Sequence, residues 1–291
     1  MLRYWILAAR PATLPAALVP VLVGSAVGAR AASFKPLPFV VALLCSLLIQ
    51  IGTNFANDVF DFHKGADTAE RLGPTRVTQS GLISPGQVLA ATYLTFGLAG
   101  LLGLYLVHVG GVPILVIGIL SILSGLAYTG GPWPLGYHGL GDLFVFVFFG
   151  VLAVTGSAYL QAGTLVPAAL LASISTGCLV TAILVVNNLR DVGTDRRADK
   201  RTLAVRFGRR FARVEYTLLI AVAYVVPPML FAAGVLDSYF LLPWITLPLA
   251  LLLLQVVGRA TDGPTLNRAL KHTGLLHLSF GALFALAFVL R

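Results

Sequence analysis

The sequence is poor in charge and in cysteine. Charged residues make up only 11% of its 291 residues, and hydrophobic residues make up 58%. Soluble domains carry about 25% charged residues, so most of this chain is not expected to be exposed to water. Cys45 and Cys178, its two cysteines, stand inside apolar runs without metal or redox spacing, and we expect buried thiols. No break in composition divides the chain, which predicts a single membrane domain over residues 1–291.

Long apolar segments run from one end of the chain to the other. A helix needs about 20 apolar residues to cross a bilayer. Nine segments meet this requirement: 13–33, 37–56, 87–108, 112–130, 141–162, 165–189, 214–234, 239–257 and 273–290. The sequence therefore predicts an all-α, polytopic bundle of nine transmembrane helices.

The basic residues are distributed unevenly between these segments. Seventeen of the 20 lysines and arginines lie before the first span or in the loops after the second, sixth and eighth spans. The positive-inside rule places these segments in the cytoplasm. We therefore expect a multi-pass protein of the cell inner membrane with a cytoplasmic N-terminus. The same rule accounts for the net charge of +9. We therefore do not expect nucleic acid as a partner.

Seven of the eleven acidic residues fall in two clusters on the predicted cytoplasmic side. The first cluster follows the second span and contains Asn54, Asn57, Asp58, Asp61, Asp67 and Glu70. The second follows the sixth span and contains Asn187, Asn188, Asp191, Asp195 and Asp199. Spacings of three and four residues place the members of each cluster on one helical face if the helices continue past the apolar runs.

Stacked carboxylates repel one another, and the cost is larger near a membrane. Mg²⁺ is the natural counter-ion, because it takes carboxylate and amide oxygens and usually keeps substrate phosphates. Two clusters on one side therefore predict a diphosphate held by metal between them. The alternative is that the acids cap helices and pair with nearby basic residues. Ion transport is disfavoured, because the acids lie at helix ends instead of mid-span.

Two motifs in these clusters, Asn57-Asp58-x-x-Asp61 and Asp191-x-x-x-Asp195, resemble those of the UbiA superfamily of intramembrane prenyltransferases. The general first motif has a further aspartate at the position of Gly65, whereas here the next one is Asp67. In this departure the sequence resembles one branch of the superfamily, the 1,4-dihydroxy-2-naphthoate polyprenyltransferases. Further segments resembling this branch are 10–15, 70–79, 128–129, 134–142, 147–150, 187–191 and 200–208.

The resemblance implies a nine-helix bundle whose central cavity opens to the cytoplasm for diphosphate and sideways to lipid for a polyprenyl chain. It implies Mg²⁺-dependent transfer of that chain from polyprenyl diphosphate to 1,4-dihydroxy-2-naphthoate, with decarboxylation, in menaquinone biosynthesis. Prenyl or phytyl transfer to another aromatic quinone precursor is the alternative. A secondary transporter would instead require mid-span charges and an inverted repeat, and a non-catalytic lipid-binding scaffold would not need the aspartates.

Roles for individual residues follow from the same hypothesis. The candidate metal ligands are Asp58, Asp61, Asp67, Asp191, Asp195 and Asp199. The candidate diphosphate ligands are Asn54, Asn57, Lys64, Arg71, Arg76, Asn187, Asn188, Lys200 and Arg201. Aromatic candidates for surrounding the allylic cation are Tyr128, Tyr137, Phe144, Phe148 and Tyr159, with ordinary packing as the alternative. Asp142, alone at the start of the fifth span, is a candidate acid or base, or simply a charge at a helix N-terminus.

Overall fold

Proline starts four of the long helices, at the first helical position, where its missing N–H costs nothing. The computed structural model describes residues 1–66 and 72–290, and within them the regular structure is helical. The helices are α1 (Leu2–Ala9), α2 (Pro15–Ala31), α3 (Pro36–His63), α4 (Pro85–Ala127), α5 (Gly141–Val145), α6 (Ala153–Ala162), α7 (Pro167–Arg197), α8 (Leu203–Ala232), α9 (Leu247–Arg259) and α10 (Gly263–Val289). A π-helical turn, Phe146–Leu152, joins α5 to α6, and 3₁₀ turns cover Pro11–Thr13, Leu135–Tyr137 and Ser238–Thr246.

Helix α4 is a hairpin of two antiparallel arms. Its backbone leaves helical geometry at Gly111, where φ is 66°. A Cβ on Gly52 of α3 would lie 3.1 Å from the Phe96 ring, and one on Gly125 would lie 3.2 Å from the same ring. Phe96 and Gly125 belong to opposite arms, so both arms pack beside the same turn of α3. The two spans predicted over 87–108 and 112–130 are these arms.

The path of the chain agrees with the nine predicted crossings. Among the described residues, seven helical segments are long and apolar enough to span a membrane, and the bent pair Leu2–Thr13 and Pro15–Ala31 adds an eighth. Counting both arms of α4 gives nine. The Arg30 guanidinium, at the far end of α2, donates to the backbone oxygens of Phe288 and Leu290 at 3.4 and 3.2 Å. The start of α2 and the end of α10 therefore lie on opposite faces, which requires an odd number of crossings.

Two helices extend well beyond their predicted spans. Helix α3 continues from the predicted limit at residue 56 to His63, and α7 continues from residue 189 to Arg197. The extension of α3 carries Asp58 and Asp61, and the extension of α7 carries Asp191 and Asp195. These four aspartates therefore stand on helix ends, whereas Asp199 follows the end of α7.

Glycines bring α2 against α6. A Cβ on Gly24 would lie 2.2 Å from the Val154 oxygen, and one on Gly28 would lie 2.4 Å from the Ala158 oxygen. Two glycines four residues apart form the small-xxx-small pattern by which membrane helices approach closely. This contact holds α2 and α6 together.

Candidate functional site

One cavity, of about 330 Å³, lies between the ends of α3 and α7 that carry the acidic clusters. Helices α2 and α4, the loop after α4 and the π-helical turn complete its wall. The predicted site residues that line it are Asn54, Asn57, Asp61, Arg76, Tyr128, Tyr137, Phe144, Phe148, Asn187, Asn188, Asp191, Asp195 and Lys200. The structure thus brings polar residues from both clusters and four of the five predicted aromatic residues to one space.

Asp61 is the centre of a buried charge cluster at the end of α3. Its Oδ2 accepts hydrogen bonds from Arg76 and Lys200, each at 3.1 Å. Its Oδ1 accepts a hydrogen bond from the Tyr137 hydroxyl at 2.8 Å. The carboxylate is 2% exposed, so the two cations offset most of the cost of burying its charge.

Two lysines flank the ring of Tyr137. The Nζ of Lys200 lies 4.7 Å from the ring centroid, and the Nζ of Lys64 lies 5.0 Å from it. Lys64 also donates to the backbone oxygen of Thr129 at 2.7 Å. Partial burial lowers the pKa of Lys64, although the nearby Asp61 acts in the opposite direction. Lys64 does not reach the cavity wall and lies behind Tyr137.

The Arg190 guanidinium fixes the carboxylate of Asp191 on the opposite wall. Its Nε and Nη2 donate to the two oxygens of Asp191 in a bidentate pair. The remaining donors reach Oδ1 of Asn187 at 2.8 Å and Oδ1 of Asn267 at 2.7 Å. Arg190 is 1% exposed. It therefore orients two residues of the cavity wall and neutralises Asp191 without lining the cavity itself.

Several polar wall residues were absent from the prediction. Arg10, Thr13, Gln50 and Thr129 all line the cavity. The Thr13 hydroxyl donates to the Arg10 backbone oxygen, so its oxygen accepts from the amides of Gln50 at 3.2 Å and Asn54 at 3.0 Å. Gln50 stands one helical turn before Asn54, and this i, i+4 spacing was the signal that would have identified it.

On the opposite side of the wall, Thr129 donates to Oδ1 of Asn57 at 2.8 Å. Tyr128, next to it in sequence, also lines the cavity.

Asp58 is placed differently from its predicted role. Its oxygens accept hydrogen bonds from the backbone N–H groups of Thr78 at 3.0 Å and Val77 at 3.2 Å. Asp58 does not line the cavity, because it lies on the side of α3 that faces the loop before α4. The geometry favours a structural role, in which Asp58 anchors the loop that supplies Arg76.

Four other predicted residues also lie off the cavity wall. Asp199 and Arg201 pair with each other at 3.1 Å on the surface, where their side chains are 83% and 65% exposed. Tyr159 packs against an apolar cluster that includes Cys45. Asp142 is buried, and no hydrogen-bond partner among the described residues reaches its Oδ1. Asp67, Glu70 and Arg71 lie outside the described residues.

The oxygen atoms on the cavity wall have the chemistry that Mg²⁺ requires. Within residues 1–66 and 72–290, no three histidine, cysteine or acidic side chains converge closely enough to hold a metal ion by themselves. Mg²⁺ usually takes only one or two carboxylates and completes its shell with water and substrate phosphates. Asp61, Asp191 and Asp195, with the amides of Asn57 and Asn187, fit that pattern of binding.

Comparison with known proteins gives consistent results. The model of the UbiA prenyltransferase family matches residues 17–287. A 1,4-dihydroxy-2-naphthoate octaprenyltransferase of Escherichia coli is 44% identical over 74% of this chain and 72% of its own length. One of Mycobacterium tuberculosis is 39% identical over 94% of this chain and 92% of its own.

Solved structures share the fold at low sequence identity. A UbiA homolog from Aeropyrum pernix superposes with a TM-score of 0.73 at 15% identity, covering 93% of this chain and 96% of its own. A UbiA homolog from Archaeoglobus fulgidus bound to DMAPP and Mg²⁺ superposes with a TM-score of 0.68 at 17% identity, covering 98% of both chains. The family match, the closely similar sequences and the shared fold agree, and the chain belongs to the UbiA prenyltransferase family.

Proposed function

We propose that the protein transfers a polyprenyl group from polyprenyl diphosphate to 1,4-dihydroxy-2-naphthoate with loss of CO₂, a step of menaquinone biosynthesis. The observation that carries the proposal is the meeting of acidic, amide and basic side chains with an aromatic wall in one cavity. The choice of acceptor is supported by relatives named 1,4-dihydroxy-2-naphthoate octaprenyltransferase that are up to 44% identical.

Arg76 and Lys200 are the cations placed to bind the diphosphate. Both line the cavity and both now donate to the same oxygen of Asp61. An entering diphosphate offers these cations further oxygens. The Arg76 guanidinium can donate two parallel hydrogen bonds to one phosphate group. The amides of Asn187 and Asn188 contribute donors from the opposite wall.

Asp61, Asp191 and Asp195 are the carboxylates that would hold Mg²⁺, supported by the amide oxygens of Asn57 and Asn187. When bound, Mg²⁺ supplies positive charge that stabilises the diphosphate as a leaving group. Arg190 fixes the orientation of Asp191, and Tyr137 fixes that of Asp61. The carboxylate oxygens are therefore oriented before a metal ion binds. Preorganised ligands avoid a reorganisation cost during the reaction.

In the bond-making step, the allylic C–O bond breaks and the diphosphate departs with the electron pair. The electron-rich ring then forms a C–C bond to the allylic carbon and releases its carboxylate as CO₂, whose bonding electrons return to the ring. Phe144 and Phe148, stacked with centroids 5.7 Å apart, line the wall on which the carbocation forms. Aromatic faces stabilise a cation and exclude water that would quench it.

The reaction is proposed to occur on the cytoplasmic face of the cell inner membrane. The N-terminal helix and the loop at Lys200 lie at the cavity end of the bundle, whereas Arg30 lies at the other end. The excess of lysine and arginine at the cavity end favours the cytoplasm for that end.

The test is a reaction of the purified protein with 1,4-dihydroxy-2-naphthoate, farnesyl or octaprenyl diphosphate, and Mg²⁺. Mass spectrometry should detect a prenylated, decarboxylated product, and EDTA should abolish its formation. Gly97→Leu, a substitution at an exposed position away from the cavity, is the control variant and should keep full turnover. Absence of product with every donor, or a product that retains the carboxylate, would refute the proposed reaction.

A further inference from the structure

Gln50 has an unused hydrogen-bond acceptor at the wall of the cavity. The residue lines the cavity but is only 7% exposed. Its Nε2 donates to the Thr13 hydroxyl at 3.2 Å, whereas its Oε1 is buried and has no donor among the residues that the structure describes. Gln50 lies within the apolar stretch of α3, where little water is present to replace a missing partner. Because a buried acceptor without a donor is costly, we expect a ligand to supply one.

The hydrogen bonds around Thr13 fix the orientation of the Gln50 amide. The Thr13 hydroxyl donates its single proton to the Arg10 backbone oxygen at 2.9 Å. The Thr13 oxygen can therefore only accept, and it does so from the amides of Gln50 and Asn54. A flipped Gln50 amide would place two acceptors against each other. The free group of Gln50 is consequently an oxygen, which selects a ligand that carries an O–H or N–H donor.

Gln50 lies deeper in the bundle than the proposed diphosphate site. It stands eleven residues before Asp61 on the same helix, which is about 16 Å along the axis at 1.5 Å per residue. A diphosphate held at Asp61 therefore leaves Gln50 to another substrate group. An aromatic ring that lies next to the allylic carbon is on the Gln50 side of that diphosphate.

The proposed substrates differ in the hydrogen-bonding groups that they offer. A metal-bound diphosphate has acceptor oxygens only, and a polyprenyl chain has no polar hydrogen. The carboxylate of the aromatic substrate is ionised and also only accepts. The donors that remain are the two ring hydroxyls of 1,4-dihydroxy-2-naphthoate.

We propose that Gln50 binds a ring hydroxyl of the aromatic substrate through Oε1 and thereby selects a hydroxylated ring. The inference rests on the proposed function, since it takes 1,4-dihydroxy-2-naphthoate as the substrate. Thr13 is then a positioning residue, because it holds Nε2 and leaves Oε1 for the ligand. An analogue without the hydroxyl leaves Oε1 buried and unpaired, and sites of this kind reject such analogues strongly.

The same contact acts on the bond-making step. As the ring attacks the allylic carbon, the hydroxyl oxygen releases electron density into the ring and its hydrogen becomes more positive. The hydrogen bond to a fixed amide oxygen is therefore stronger in the transition state than in the ground state, which is the condition for acceleration. The proton stays on the hydroxyl, because the product keeps both ring hydroxyls. Gln50 thus assists the attack without acting as a base.

The experiment measures the preference for 1,4-dihydroxy-2-naphthoate over 1-hydroxy-2-naphthoate and 4-hydroxy-2-naphthoate, which each lack one hydroxyl. Gln50→Met removes Oε1 with little change of shape, since methionine is unbranched and fills irregular gaps. Gln255→Met is the matched control, because Gln255 is exposed on α9 and lies off the cavity wall. The readout is the ratio of kcat/KM values at saturating octaprenyl diphosphate and Mg²⁺, and an analogue that is not turned over is compared by its inhibition constant. The reactivity of an analogue is the same in every variant, so a change in the ratio reports the contact with the missing hydroxyl.

We expect the ratio for one of the two analogues to fall at least about tenfold in Gln50→Met, because this variant has no buried oxygen to leave unpaired. Gln255→Met should keep both wild-type ratios. Gln50→Glu should keep them as well, since a glutamate in apolar surroundings is protonated and offers both an acceptor oxygen and a donor to Thr13.

Wild-type ratios for both analogues in Gln50→Met would overturn the inference. An equal fall in Gln255→Met, or a fall in Gln50→Glu as large as that in Gln50→Met, would overturn it too. If Gln50→Met does not fold, Gln50→Leu takes its place with the same expected outcomes. Failure of the proposed function has a different signature, because the wild-type protein would then give no prenylated, decarboxylated product from 1,4-dihydroxy-2-naphthoate.

Discussion

The Tyr137 hydroxyl donates to Asp61 at 2.8 Å, while the ring of the same tyrosine lies 4.7 Å from the Lys200 ammonium. The backbone oxygen of Tyr137 also accepts from the N–H of Arg201 at 2.9 Å. One side chain thus connects the end of α3, the loop after α4 and the loop between α7 and α8. Two of these segments carry side chains of the proposed site, Asp61 at the end of α3 and Lys200 in the loop between α7 and α8.

Tyr137→Phe should weaken catalysis while preserving the fold. The substitution keeps the aromatic face beside Lys200 but removes the hydrogen bond to Asp61. A hydrogen bond to a charged group contributes about 1.5–3 kcal/mol, so kcat/KM for the donor should fall about tenfold or more. Steady-state kinetics at saturating acceptor measures the change. A wild-type kcat/KM in Tyr137→Phe would show that the hydroxyl does not position Asp61 for the reaction.

Asp61→Asn and Asp58→Asn should separate metal binding from loop anchoring. Asp61→Asn removes the carboxylate that Arg76 and Lys200 share, and we expect severe loss of activity and a higher Mg²⁺ concentration for half-maximal rate. Asp58→Asn presents an NH₂ group to a backbone amide of Val77 or Thr78, at a cost of about 1–3 kcal/mol in stability. Mg²⁺ titrations and thermal unfolding in detergent measure both effects. A similar Mg²⁺ shift in Asp58→Asn would restore that residue as a metal ligand.

The placement of the two clusters could be inferred from the sequence because it depends on local periodicity and on the number of crossings. Spacings of three and four residues put Asn54, Asn57 and Asp61 on one face, and an even number of crossings after the first cluster brought the second to the same side. The structure also confirms the all-α class, and the bend at Gly111 falls between the spans predicted over 87–108 and 112–130. These features follow from hydrophobic length and helical geometry alone.

The direction in which a cluster member points could not be inferred in the same way. Asp58 is adjacent to Asn57 in sequence, but a rotation of about 100° per residue turns it toward the loop before α4. Its partners are backbone amides at residues 77 and 78, a tertiary contact that leaves no local pattern. Tyr159 was likewise placed at the cavity from its residue type, although its depth in α6 puts it in an apolar cluster.

Arg190→Lys should reduce both stability and activity. Lysine keeps the positive charge but cannot reproduce the fork that holds Asp191, Asn187 and Asn267 together. Losing a satisfied network in a buried site leaves several oxygens unpaired, and we expect destabilisation of about 2–4 kcal/mol. Thermal unfolding measures this loss, with Arg201→Lys as a surface control. Equal unfolding temperatures for Arg190→Lys and the control would contradict a positioning role for Arg190.

Asp142→Asn tests whether the reaction uses an acid or base at that position. The side chain is buried but does not line the cavity, and loss of CO₂ from the acceptor leaves the substituted ring without a surplus proton on that carbon. We therefore expect the variant to retain most of the wild-type kcat and an unchanged pH–rate profile. A large fall in kcat together with loss of one limb of the profile would identify Asp142 as a participant in proton transfer.

Gly28→Leu should disrupt the bundle, whereas Gly97→Leu should not. A Cβ at residue 28 would lie 2.4 Å from the Ala158 oxygen and 2.8 Å from the Gln161 Cβ, so α2 and α6 would have to separate. The added Cβ would meet backbone atoms of Ala158, and such a contact cannot relax by a change of rotamer, which makes the cost at least that of ordinary overpacking, about 1–3 kcal/mol. The yield of monodisperse protein in detergent and its unfolding temperature should both fall for Gly28→Leu. Gly97 has open space around it, and leucine there meets only lipid. If the two variants behaved alike, the close approach of α2 and α6 at Gly24 and Gly28 would not be what holds these two helices together.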